Sequence, residues 1–340
     1  MKHLIIGPGG ILFYSLFGQV CKLHDDKMFQ NLEEISGSSA GALTGFLYLC
    51  GQNMLDKVKE YIFSVEYGET FSMNPMRLLK RYGLIYTRSA RDFLSTMCSK
   101  VFGFSDITFY QLYERTGIIF HISSLSLFKR HVEYFSVRTT PHMSVLDAVC
   151  MSVAAPFVFT PFKDHIDAGI VEFLPFGPFI GKDDVVSIMN SQDIYEPPKK
   201  NIFRYIFTIM NILSTLRHDE SFSHRITIPS PSVGMFDFKQ TQQDRMRLFV
   251  HGYSVPSGLP CVDVSDQGSE CDTQTRESPK RQSNQDNPGD LSASETQEVA
   301  QSSEDISQVL HPHQTRGESS KSLGTGSSRD TESTPCETLA

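Results

Sequence analysis

The chain has 340 residues, 39 % of them hydrophobic and 21 % charged, with a formal net charge of −8 at pH 7. That length allows one large or two ordinary domains. The charge is uneven: residues 262–340 hold fifteen acidic and six basic side chains, while the other 24 acidic and 25 basic residues nearly cancel. No basic excess of the kind that nucleic-acid binding demands is left.

The composition divides the chain as sharply as the charge does. Tyr253 is the last aromatic residue, and from Pro260 onward Ser, Thr, Gln, Asp, Glu, Pro and Gly dominate. Such a segment has too little apolar surface to offset its ordering entropy. The reading is therefore a folded domain over 1–255 and a disordered, acidic, Ser/Thr-rich tail over 256–340, whose partners composition does not name. The seven cysteines are scattered and form no C-x-x-C pair, which suits free thiols in a reducing, cytoplasmic setting.

In chain order, Leu4-Ile5-Ile6 reads as a short strand. The turn Gly7-Pro8-Gly9-Gly10 and an apolar helical stretch over 11–23 follow it. The glycines would break an apolar signal helix, and no small-residue cleavage site follows. Strand, glycine loop and helix together present backbone amides to an anion. The loop is neither a dinucleotide fingerprint, since Leu12 stands where the third glycine belongs, nor a P-loop, since no Gly-Lys-Ser/Thr closes it.

A second strand–turn–helix unit carries Gly37-Ser38-Ser39-Ala40-Gly41, a Gly-x-Ser-x-Gly pattern with Ser39 at its centre. In a nucleophile elbow the sharp turn exposes one hydroxyl, and only small flanking residues let it close. Residues 52–104 read as surface and packing helix, and 109–113 as a further short helix. Residues 117–122 and 132–137 read as strands, and 141–154 as a helix. Strands at 185–188 and 225–228, an apolar helix at 201–216 too short and polar to span a membrane, and a last helix at 240–251 complete the pattern. The fold class is α/β, a mostly parallel sheet flanked by helices.

A serine nucleophile needs a proton acceptor and an oxyanion site. Among eleven histidines, His121 and His165 stand at plausible positions for a Ser-His-Asp arrangement. Asp167 has the stronger claim, because Ala168 and Gly169 follow it at once and leave its side chain uncovered.

A glycine loop after the first strand, the elbow about 30 residues on and Asp167-Ala168-Gly169 after an Ala-Pro-Phe stretch together resemble the patatin-like phospholipases. These are lipid acyl hydrolases with a Ser-Asp dyad and a three-layer α/β fold. Gly37-Ser38-Ser39-Ala40-Gly41-Ala42-Leu43 is similar to the family's G-T-S-A-G-A-L. Ser152-Val153-Ala154-Ala155-Pro156 and Phe159-Thr160-Pro161 resemble its S-x-A-x-P…F-x-P. Asp167-Ala168-Gly169 with Pro175 resembles its D-G-G-x-x-x-N-x-P.

The resemblance implies Ser39 as nucleophile, Asp167 as its base, and the amides of Gly9, Gly10 and Ala40 as oxyanion donors, with Gly37 and Gly41 shaping the elbow. It implies no metal or cofactor. The partner would be a phospholipid or other acyl-ester lipid, met at a membrane or lipid-droplet surface by a peripheral enzyme. Departures from the pattern are Pro8, Leu12 and Phe13 in the G-G-G-x-[K/R]-G loop, Ala168 for the middle glycine of D-G-G, and Phe173 for its Asn. A non-catalytic lipid- or protein-binding relative is the alternative these departures leave open. Phe173, Phe176 and Phe179, in an apolar run after Asp167, are expected to line an acyl pocket or touch a membrane. The basic-aromatic stretch 199–207 is a second interfacial candidate.

Overall fold

The computed structural model describes residues 1–65, 71–191, 208, 223–229, 231, 233 and 239–259. The chain divides into two units, Met1–Gly268 and Ser269–Ala340. The second unit and the rest of the expected tail from 260 on lie outside the described residues, as do all of the stretch 199–207 and, apart from residue 208, the expected helix at 201–216.

The first unit opens with β1 (His3–Ile6), a 3₁₀ turn (Gly10–Leu12), α1 (Phe13–Asp25), β2 (Glu34–Gly37), α2 (Ala40–Gly51) and α3 (Leu55–Ser64). It continues through α4 (Pro75–Arg81), β3 (Gly83–Ile85), α5 (Thr87–Val101), α6 (Phe109–Thr116), β4 (Ile119–Ser126) and β5 (Val132–Phe135). Then follow α7 (Val145–Ser152), β6 (Phe157–Phe159), β7 (His165–Ile166), β8 (Val185–Asn190), β9 (His224–Ile228) and α8 (Gln242–Tyr253).

Seven strands form one sheet in the order β5-β4-β2-β1-β8-β9, with β7 pairing β4. The β1–β2, β1–β8, β2–β4 and β8–β9 pairs are parallel, while β5 and β7 run antiparallel to β4. The central strands are buried on both faces, and the period of two sorts their side chains. Leu4, Ile6, Ile35, Phe120, Ile122, Val186 and Ile188 enter the main core with α1, α2 and α7. Ile5 and Val185 point the other way, into a smaller cluster with Phe173, Leu174 and Phe179.

Register decides where chemistry can happen. Ile6 is aligned with Gly37, so the loop after β1 and the turn after β2 leave the sheet side by side. Helix α1, which carries the glycine loop at its N-terminal end, is closed from the far end of the unit. A Cβ on Gly18 would lie 2.2 Å from the Phe249 carbonyl oxygen and one on Gly252 1.9 Å from that of Ser15, so α1 and α8 cross backbone against backbone.

Strands β3 and β6, which the sequence reading left as helix and connecting chain, pair in parallel as a separate two-stranded sheet. Each has three residues, too few to show a period.

Candidate active site

Ser39 stands two residues beyond the end of β2, at the start of α2, and sits at φ 53°, ψ −119°, a left-handed position rare for a side-chain-bearing residue. Holding it there costs about 1–3 kcal/mol. Two close approaches enforce the turn. A Cβ on Gly37 would sit 2.7 Å from the Ala42 nitrogen, and one on Gly41 only 2.0 Å from the Ile6 carbonyl oxygen. The Ser39 amide donates to Ser152 Oγ at 2.8 Å, so the end of α7 pins the strained residue.

Asp167 is brought to the same place by the Ala-Pro-Phe stretch. Its amide donates to the Ala154 carbonyl at 3.0 Å, and its Oδ1 accepts the Gly169 amide at 2.8 Å. The Ser39 side chain acts on the Asp167 carboxyl and favours its ionised form. Burial pushes that carboxyl up to about 6, against the smaller downward pull of Ser39 and the Gly169 amide. Ala168 begins a 3₁₀ turn (Ala168–Ile170) and is not among the positive-φ residues, so the missing glycine causes no strain.

The glycine loop completes the cluster. Pro8 lies against the Asp167 turn, 3.2 Å from where a Cβ on Gly169 would stand. Gly10, at φ 55°, opens the 3₁₀ turn that leads into α1. Leu12 and Phe13, where the resemblance expects a basic residue and a glycine, are buried in the main core. A lysine at 12 would place its charge among apolar side chains, so this loop is stabilised by packing.

A cavity of about 110 Å³ opens beside Ser39. Gly10 and Ala40 share its wall with Phe13, Phe71, Phe93, Met97 and Phe159, and Ser39 is the one polar side chain in that wall among the described residues. Such a space takes an apolar chain and presents a single hydroxyl to it.

The histidines lie elsewhere. His121, aligned with Ser36 on the second face of the sheet, has its Nε2 2.7 Å from Glu34 Oε2 and its ring edge-on to Phe179. His165 Nε2 contacts Glu133 Oε2 at 3.1 Å. Phe173 and Phe179 need correction as substrate or membrane contacts. Both are buried in the cluster under Ile5 and Val185, with Phe176 half-buried against it. The alternation of the central strands exposes an apolar face that this segment must cover. The role of Ser152 was missed, although it lies within the S-x-A-x-P stretch.

Residues 4–180 match the family model described as Patatin-like phospholipase, and the chain belongs to that family. It is similar to "Probable lipid hydrolase 463L" of Invertebrate iridescent virus 6, at 25 % identity over 183 residues, which cover 51 % of this chain and 61 % of that protein. VipD from Legionella pneumophila is similar in structure, with 15 % identity and a TM-score of 0.44 over 74 % of this chain and 65 % of VipD. Human GIVD cytosolic phospholipase A2 shows 11 % identity and a TM-score of 0.36 over 55 % of this chain and 42 % of its own. The chain thus spans less than two thirds of the length of each of these relatives.

Proposed function

We propose that the chain is a lipid acyl hydrolase in which Ser39 and Asp167 act as a dyad. The observation that carries this reading is a buried Asp167 carboxyl, raised to about 6 by burial and drawn down by the Ser39 side chain, at an apolar cavity with one hydroxyl in its wall. Asp167 accepts the Ser39 proton as Oγ attacks the ester carbonyl. The oxyanion meets amides at Gly9, Gly10 and Ala40, each such donor being worth about 10²–10³ in rate. Collapse of the tetrahedral intermediate expels the alcohol, which takes the proton from Asp167 and leaves an acyl-Ser39. Water, deprotonated by the same carboxylate, then releases the fatty acid.

A carboxyl near 6 supports the assignment, since it is a stronger base than an ordinary Asp yet ionised at neutral pH. The apolar wall supports a phospholipid or other acyl ester as substrate, met at a membrane or lipid surface in the cytoplasm. The hydrolase unit is residues 1–255, with the acidic tail outside the chemistry. His121 and His165, each engaged with a glutamate, have no part in it.

The test is hydrolysis of a fluorogenic acyl ester and of mixed phospholipid vesicles by wild type, Ser39→Ala, Asp167→Asn and His165→Ala. The expected result is turnover by wild type and His165→Ala only. Full turnover by Ser39→Ala overturns the assignment, and no wild-type turnover on any lipid favours a binding relative.

A further inference from the structure

Helix α4 does what a packing helix does not: none of its residues is buried. Met73, Met76, Leu79 and Tyr82, in and beside it, are 51–75 % exposed, and Tyr86 is exposed as well. A contiguous exposed apolar group of this kind marks an interaction surface. The helix is nevertheless held firmly. The Asn74 side chain caps it by accepting the Met76 amide at 2.9 Å. The Arg77 guanidinium donates to the carbonyls of Ser72 and Leu84 and lies 3.9 Å over the Tyr86 ring. Polar clamps fix the backbone and leave the apolar side chains facing outward.

Two further observations identify what the surface meets. The first is charge. Residues 71–91 contain five basic residues and no Asp or Glu. Arg91 is paired with Asp106 and Asp147, whereas the exposed Lys80, Arg81 and Arg88 make no ion pair among the described residues. The second is continuity with the cavity. Phe71, two residues before Met73, and Phe159, which pairs through β6 with the strand that follows α4, both line the space beside Ser39. An apolar group accompanied by free cations, next in the chain to residues that line the apolar cavity beside Ser39, fits an anionic lipid surface. The side chains enter the headgroup–acyl boundary and the cations meet phosphates.

We propose that α4 and its flanks, through Met73, Met76, Leu79, Tyr82, Lys80 and Arg81, dock the protein on anionic bilayers and set the cavity mouth against the acyl layer. This assignment rests on the hydrolase reading of the cavity. It replaces Phe173 and Phe179 as the interfacial residues.

The test is sedimentation of the full chain with phosphatidylcholine vesicles, with and without phosphatidylserine. Wild type is compared with Met76→Glu/Leu79→Glu and Lys80→Glu/Arg81→Glu. All four side chains are exposed, so the melting temperature should stay unchanged and report that folding is intact. Wild type should bind the phosphatidylserine vesicles more tightly, and less so at high salt. Each double variant should bind them at least about tenfold more weakly.

A Phe128→Ser variant serves as comparison, because Phe128 is 87 % exposed at the β4–β5 turn and stands beside Lys129 and Arg130. Undiminished binding by both double variants, whether or not Phe128→Ser loses it, overturns the proposal. So does a wild-type dimer that Met76→Glu/Leu79→Glu splits while vesicle binding persists, since the face would then belong to a second copy. Binding is read without turnover. A protein that docks through α4 but hydrolyses nothing therefore sinks the hydrolase reading, and an active one whose variants still dock sinks this one.

Discussion

The Ser39 amide donates to Ser152 Oγ across 113 residues of sequence, at 2.8 Å and in a buried setting. Ser152→Ala removes the acceptor and leaves a buried N–H unpaired at the strained residue. The expected loss is about 1–3 kcal/mol in denaturant unfolding. Ester turnover should fall with it, because the same bond fixes the elbow.

Asp167→Asn separates stability from activity. The folded carboxyl lies near 6 and the ordinary value is 3.8, so between these values the folded state binds more protons than the unfolded state. Stability from this group is complete below about 3.8 and is lost as pH rises through 6. The shift corresponds to about 3 kcal/mol as an upper figure. Asp167→Asn should therefore melt higher than wild type at pH 8, less so at pH 4, and show no ester turnover. Wild-type turnover should rise with pH through about 6 as the base ionises.

Glu34 has the opposite sign. Burial raises its carboxyl, but hydrogen bonds from Lys182, His121 and Arg138 outweigh that and bring it to about 2. The stability it confers is present above the ordinary glutamate range and is lost as pH falls toward 2. Glu34→Gln leaves these partners facing a neutral amide. Because Lys182 and Arg138 reach solvent, the cost should be roughly 2–3 kcal/mol at pH 7. It should shrink in melts at pH 3.

Gly41→Ala tests the elbow by sterics alone. Its Cβ would lie 2.0 Å from the Ile6 carbonyl oxygen, a backbone atom of the central strand that cannot turn aside. A loss of about 4 kcal/mol or more is expected, measured as failure to recover soluble protein or as a collapse of the unfolding midpoint.

Much of the fold was legible because it is local. Leu4-Ile5-Ile6 and Val185-Val186-Ser187-Ile188 are β-rich runs between breakers, and the elbow pattern marks the turn from β2 into α2. What stayed hidden depends on long-range pairing. Gly83–Ile85 becomes a strand because Phe157–Phe159 lies beside it.

The apolar run at Phe173 and Phe179 reads the same whether it faces lipid or a sheet. The ring contact of Phe179 with His3 decides it, and no spacing reveals that. Phe71, Phe93 and Met97 lay within a segment read as surface and packing helix, yet they wall the cavity. Periodicity says that a helix has an inner face without saying whether that face meets core or empty space.

The crossing of α1 with α8 at Gly18 and Gly252 bears on how the protein comes into being during translation. The glycine loop is fixed to α1, but the groove of α1 is filled by a helix made more than two hundred residues later. A nascent chain therefore carries an uncovered first helix until α8 has left the ribosome. The loop between β1 and α1 is synthesised first, but the helix it leads into gains its partner only when the unit is nearly complete.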